Sequence, residues 1–417
     1  MAQRTGGATA GDGTGRGPRL PTGTRASPAA ASPGDDELAG WVRLALAEGV
    51  GRESARRLLA ALGPPQAIFA AGAAAWREVA GEAAAAALAR LPDGLDAQVA
   101  RARTWLAGGP EPRALWTLAD DAYPHALLAA PDPPLFVFAQ GQAAWLARPA
   151  VAIVGSRNAT PQGLDNARAF ARTLGDAGWV VVSGLAAGID GAAHEGALAG
   201  RSGTVAVVGT GPDRVYPARH RTLAHRIVGQ GLILSEYLPG TPPLAGNFPQ
   251  RNRLIAALAQ GTLVVEAALQ SGSLITARLA AEIGREVFAI PGSIHAPQSR
   301  GCHALLRQGA KLVETAEDIL EELRAQVGPA PARAGGDTGS ATPDAGPASV
   351  AAGAPGAGDD TDDPLLRAMG HDPVSLDALS ARTGWDIGRL AARLLEHELE
   401  GRVARLPGGL LQRRGLG

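Results

Sequence analysis

Residues 247–258, NFPQRNRLIAAL, begin a helix against an electrostatic preference. Pro249 suits a first turn, and Leu254, Ile255 and Leu258 supply an apolar face. Yet Arg251 and Arg253 fall near the start, where a helix already carries about half a positive charge. That placement is unfavourable only while nothing negative is bound. A phosphate there would satisfy the helix end and a guanidinium together. Two residues apart means about 200° around a helix, so the two arginines cannot face one point. One is expected to reach the anion, and the other to pin the loop or meet a neighbouring phosphate. The alternative is salt bridging to local carboxylates, of which NFPQRNRL has none. Asn247 and Asn252 are candidates alongside them.

Other segments carry similar chemistry. GSRNATPQG supplies Gly155, Ser156 and Arg157; SGLAAGIDGAAHEGAL supplies Ser183, Gly184 and Gly188; GTGPDRVYP supplies Arg214; LQSGSLITA supplies Gly272, Ser273 and Thr276. Each follows a short apolar run. In open α/β sheets, ligands bind beyond the carboxyl ends of the strands. Small residues let backbone amides approach a ligand there, and hydroxyls and arginines complete an anion site.

Catalytic patterns are weaker. GTGPDR breaks a G-x-G-x-x-G fingerprint, and the only lysine, Lys311, lies far from any Walker A context. Asp190 and His194, four apart on one helix, read as a capping aspartate and a surface histidine rather than parts of a triad, because Ser183 lacks a nucleophile elbow. Glu266 ends a strand as either an acid/base or a loop-anchoring carboxylate. His295, Cys302 and His303 are too scattered for a metal site. No cofactor and no metal are expected.

The elements that must hold these loops are legible as patterns. AVAIVGS, WVVVSG, TVAVVGT, LILSEY, TLVVEAAL, EVFAIPG and AKLVE are mostly apolar, as parallel strands buried on both faces should be, and helical stretches separate most of them. Residues 106–326 are therefore expected to form a doubly wound, Rossmann-like, mainly parallel α/β sheet. Residues 37–105 read as helical, with Gly49-Val50-Gly51 as a helix-hairpin-helix turn of SAM-like type, able to hold a phosphate or simply to join a small bundle. Residues 363–417 read as a winged helix of three short helices and a hairpin, facing DNA or a partner protein. Residues 1–36 are expected to be a disordered tail, and 327–362, rich in Ala, Gly, Pro and Thr, a flexible linker.

The chain has 417 residues and a net charge of −1, so bulk charge says nothing about nucleic acid and a basic site must be local. Cys302, the only cysteine, excludes an intrachain disulfide. No long apolar run and no apolar leader stand out, so a soluble cytoplasmic protein without membrane insertion is expected.

These blocks, in this order, resemble DNA-processing protein A (DprA, also called Smf), over most of residues 115–320; YPHALLAAPDPPLFVFAQG is similar to that family's lead-in. The resemblance implies a non-catalytic protein that binds single-stranded DNA during natural transformation or recombination and helps load the RecA recombinase. It implies a homodimer formed through the Rossmann-like domain. It assigns the DNA pocket to Arg157, Arg214, Arg251 and Arg253, lined by Gly184, Gly188 and Gly272. His220 departs from the asparagine common after YPxx. Two other readings stand beside it: a nucleotide-hydrolysing enzyme of the lysine-decarboxylase-like class, which lacks its PGGxGTxxE signature here, and a winged-helix regulator with a ligand-sensing sheet.

Overall fold

The computed structural model describes residues 34–294, 296–327, 363–369 and 373–414. The expected tail and linker fall almost wholly outside these residues, as does His295. Their edges shift slightly, because helix already begins at Asp35 and still includes Val327.

Five helices come first: α1 (Asp35–Leu46), α2 (Arg52–Leu62), α3 (Pro65–Ala80), α4 (Glu82–Leu88) and α5 (Leu95–Ala107). Gly49-Val50-Gly51 joins α1 to α2, as expected. The helices do not close on themselves. They bury one face of a strand pair, β1 (Arg113–Thr117) and β2 (Phe136–Gly141), which the sequence reading did not contain. Trp41 meets Phe136 edge-on with ring centres 6.5 Å apart, and Trp105 meets Phe138 at 5.5 Å. Alternation explains why β2 is apolar from Phe136 to Ala139: Phe136 and Phe138 face these helices, while Val137 and Ala139 face the core of the main sheet.

The chain then alternates: β3 (Ala150–Val154), α6 (Pro161–Asp176), β4 (Val180–Ser183), α7 (Ile189–Ala199), β5 (Thr204–Val207), α8 (Arg221–Gln230), β6 (Leu232–Ser235), α9 (Asn247–Leu258), β7 (Gly261–Val264), α10 (Gly272–Glu282), β8 (Glu286–Ala289), α11 (Arg300–Arg307), β9 (Lys311–Leu312) and α12 (Ala316–Val327). All seven expected strands are present. The sheet runs β1-β2-β6-β5-β4-β3-β7-β8-β9, parallel from β6 to β9, with β2 antiparallel to β6 and β1 antiparallel to β2. Residues of α9, α10 and α11 pack on one face against Ala152, Val154 and Val182; α6, α7 and α12 pack on the other against Val151, Ile153 and Val181. The doubly wound fold class is therefore observed.

The C-terminal unit comprises α13 (Pro364–Met369), β10 (Val374–Ser375), α14 (Leu376–Thr383), α15 (Ile387–Leu399), β11 (Val403–Arg405) and β12 (Leu410–Arg413). Its sheet order is β10-β12-β11, a winged helix with one short strand beyond the expected hairpin. Asp386 caps α15 by accepting from the Arg389 amide at 3.0 Å. Among the described residues, no single helix is long and apolar enough to cross a membrane.

Candidate nucleic-acid interface

Strand order reverses at β3. The chain lays β4, β5 and β6 on one side, then crosses to build β7, β8 and β9 on the other. A crevice opens beyond the carboxyl ends at such a switch point. Here it is a cavity of about 420 Å³. Eight of the expected residues line it: Gly155, Ser156 and Arg157 after β3, Arg251 and Asn252 on α9, and Gly272, Ser273 and Thr276 opening α10. The first turns of α7, α9 and α10 all contribute to its wall, so three helix dipoles present their positive ends to it.

The loops are stitched together from behind. Ser156 N donates to the Glu266 carbonyl at 2.7 Å, and the Glu266 carboxylate accepts from Thr160 N at 3.0 Å and from its hydroxyl. Glu266 is thus the loop-anchoring carboxylate; burial raises its pKa, and the Thr160 bonds pull the other way. Gly188 sits under the same loop at φ 78°, where an added Cβ would lie 2.2 Å from the Ser156 carbonyl. No other residue fits that crossing.

Arg251 forms part of the cavity floor. It is 3% exposed and donates from Nη1 to the Gly184 carbonyl at 2.6 Å and to that of Val207, at the ends of β4 and β5. Burial lowers its pKa, and neighbouring Asp190 opposes that shift. Arg157 is the exposed cation. Its guanidinium lies 5.3 Å from the centre of the Phe248 ring, and no ion pair engages it among the described residues. Asn252 Nδ2 donates to the Gly272 carbonyl at 3.2 Å, tying α9 to α10. Ser271 caps α10 and its hydroxyl touches that of Ser273 at 2.6 Å.

Several expected residues lie elsewhere. Ser183 is fully buried and donates to the Ile153 carbonyl at 2.6 Å. Asn247 Nδ2 donates to the Gly209 carbonyl at 3.2 Å. Arg214 is exposed but does not line the cavity. Gly184 lines a smaller neighbouring pocket of about 80 Å³ with Tyr216 and Phe248, and Gly188 only supports the floor. Arg253 is turned into a bidentate salt bridge with Glu236, 2.7 and 2.6 Å. NFPQRNRL holds no carboxylate of its own, and the fold brings Glu236 to Arg253 from the end of β6.

Asn158, Asp190, Phe248 and Gln270 line the cavity beyond the ligands expected, and Ser271, in the marked loop LQSGSLITA, lines it with them. All five lie inside segments already marked by their neighbours. Asp190 does not precede its helix as a cap; it stands in the first turn of α7, accepting from the Ala186 amide at 3.4 Å. Burial raises its pKa against the pull of Arg251. His194 is not at the surface. It is fully buried, its Nδ1 lies 2.8 Å from the Thr204 hydroxyl, and burial pushes its pKa down to about 3. Cys302 is buried against the Val264 carbonyl, and His303 Nε2 lies 2.9 Å from the Gly292 carbonyl.

Comparison with known proteins agrees with the order of the blocks. The family model for DNA recombination-mediator protein A matches residues 114–324, half of the chain, and that for the DprA winged helix domain matches residues 347–409. Protein Smf of Escherichia coli is 42% identical over 293 residues, covering 70% of this chain and 75% of that protein. DNA processing protein DprA of Streptococcus pneumoniae is 47% identical over 207 residues, covering 50% of this chain and 73% of that protein. The X-ray structure of DprA from the same species covers 68% of this chain and 97% of its own, at 36% identity and a TM-score of 0.59. These matches are to DNA-processing proteins and not to an enzyme class. Carrying both domain types in order over a shared Rossmann-like sheet, the chain belongs to the DprA/Smf family of DNA recombination-mediator proteins.

Proposed function

We propose that the protein binds single-stranded DNA by its sugar–phosphate backbone in the switch-point cavity, acts without catalysis, and as a homodimer helps load RecA onto the strand during recombination or transformation. The observation that carries the binding step is the convergence of three helix N-termini with Arg157, an exposed arginine that forms no ion pair among the described residues. Ser156, Asn252, Ser273 and Thr276 supply further donors, while Arg251 holds positive charge beneath them. Arg214 serves, in this reading, as a peripheral cation on the strand's path.

Single strands suit the site better than duplex. Tyr216 is 49% exposed and its ring lies 5.5 Å from that of Phe248, beside the cavity rather than in the core. Unpaired bases have free faces to stack on such rings, and a duplex does not. Backbone contacts with sequence-tolerant stacking predict weak sequence preference. Competition between a labelled oligonucleotide and its unlabelled single-stranded or duplex form tests this reading. Preference for the single strand is expected; preference for duplex that vanishes on deleting 363–417 would favour the winged-helix regulator.

A second reading, hydrolysis of nucleotides, rests on Asp190, the carboxylate that lines the cavity. A buried carboxylate with a raised pKa in a cleft is a general acid/base candidate. Release of free base from nucleoside monophosphates, lost in Asp190→Asn, would establish it.

A further inference from the structure

Arg253 has no route to the cavity. Its side chain is 7% exposed, both terminal nitrogens bind Glu236, and Nε donates to the Asp132 carbonyl at 2.7 Å. Glu236 takes a second cation, Arg52 Nη1 at 3.3 Å, from the first turn of α2. Arg52 also pairs through Nε with the Asp132 carboxylate, whose other oxygen takes Arg56. Charges therefore alternate along one line: Arg56, Asp132, Arg52, Glu236, Arg253. The line runs from the N-terminal helices to the middle of α9, the helix that contributes to the cavity floor.

We propose that this ion ladder is a positioning device: it fixes the rotation of α9 and so aims Arg251 and Asn252, letting the N-terminal helices act on the DNA site without touching DNA. The inference rests on the single-stranded DNA reading above. The geometry that carries it is the half-turn between the two arginines. Because Arg251 and Arg253 point about 200° apart, clamping one sets the direction of the other. Arg253 is clamped by groups from two other parts of the chain, Asp132 and Glu236. Rolling α9 would break a pair that is 7% and 3% exposed, leaving a buried charge without its partner. The same roll would pull Asn252 off Gly272 and shift the start of α10. None of the ladder residues lines the cavity.

The sign of the effect distinguishes positioning from simple electrostatics. Removing a carboxylate near a DNA site ordinarily strengthens binding, because phosphates are repelled less. The ladder predicts the reverse. The full chain, as Glu236→Gln, Asp132→Asn, Arg253→Lys and Arg157→Ala, is titrated against a single-stranded oligonucleotide over a salt series, with affinity referred to the folded fraction. Glu236→Gln and Asp132→Asn are expected to weaken binding about fivefold or more, the lower end of coupling between sites. Their log–log salt slope should match the native one, since no phosphate contact is lost. Arg253→Lys keeps the charge but not the fork, and should behave like them. Arg157→Ala alone should flatten the slope, by about 0.7. Asp132 is 32% exposed, so Asp132→Asn decides the matter if Glu236→Gln does not fold. Unchanged or tighter binding by the carboxylate variants, with Arg157→Ala behaving as expected, overturns the positioning role and leaves the DNA reading standing. No binding by the native chain overturns both.

Discussion

Arg157→Ala is the perturbation whose outcome the structure constrains most. The side chain is exposed, lies over the Phe248 ring at 5.3 Å and has no ion pair among the described residues. Its loss therefore costs the fold little: a cation–π contact at an exposed position is worth about 0.5–1 kcal/mol, and thermal stability should barely change. For a bound strand the loss is larger. A hydrogen bond to a charged group contributes about 1.5–3 kcal/mol, which corresponds to roughly 10- to 150-fold in affinity. One lost phosphate contact should also flatten the log–log salt slope by about 0.7 for single strands. Fluorescence anisotropy of a labelled oligonucleotide, from low to physiological salt, reads both quantities. The reasoning is refuted if affinity falls while the slope stays native, because Arg157 then acts on something other than a phosphate. An unaltered affinity removes the cavity itself from consideration.

Gly188→Ala should weaken both folding and DNA binding, since the new methyl lies 2.2 Å from the Ser156 carbonyl in a backbone conformation that side chains rarely adopt; chemical denaturation and the same anisotropy assay check it. His194 is held neutral, with its pKa pushed down to about 3. The unfolded chain takes up that proton below pH about 6.5, so stability is full above that value and falls by about 1.4 kcal/mol per pH unit below it. Denaturant titrations of His194→Gln should show a shallower acid limb. Asp190 gains its charge later than an ordinary carboxylate, because burial raises its pKa. Strand affinity should therefore weaken as pH rises from 3.8 through that raised value, and Asp190→Asn should abolish the trend and bind more tightly at neutral pH. Deleting 363–417 should leave single-strand affinity unchanged: Arg393 is paired with Asp363 at 2.7 Å and Arg389 lies over Trp385 at 4.0 Å. A large loss on deletion would make the winged helix part of the strand's path.

The central strands were legible because parallel strands covered on both faces are mostly apolar, and each is written in a few contiguous residues; only the edge strand β9, Lys311–Leu312, is exposed. The cap of α15 at Asp386 and the turn at Gly49-Val50-Gly51 were legible for the same reason: local conformation depends on local chemistry. The carboxyl-edge loops followed from one topological rule, which needs only the order of strands and helices. β1 and β2 escaped because no tight-turn signal joins them and β2 meets the main sheet only through β6, far along the chain.

The sequence also determined that Arg251 and Arg253 point apart, since helix geometry alone separates them by about 200°. Tertiary structure decided which one meets the cavity. Arg253 binds Glu236, 17 residues away, and the carbonyl of Asp132, 121 residues away; Arg251 reaches carbonyls 67 and 44 residues away. The same holds for His194, which packs against Thr204 in the buried core, and for Asp190, which lines the cavity together with Arg251. Periodicity, capping and turn chemistry act over a few residues and survive in the linear sequence. Ion pairing and burial act through space, so they are fixed only when the sheet brings distant segments together.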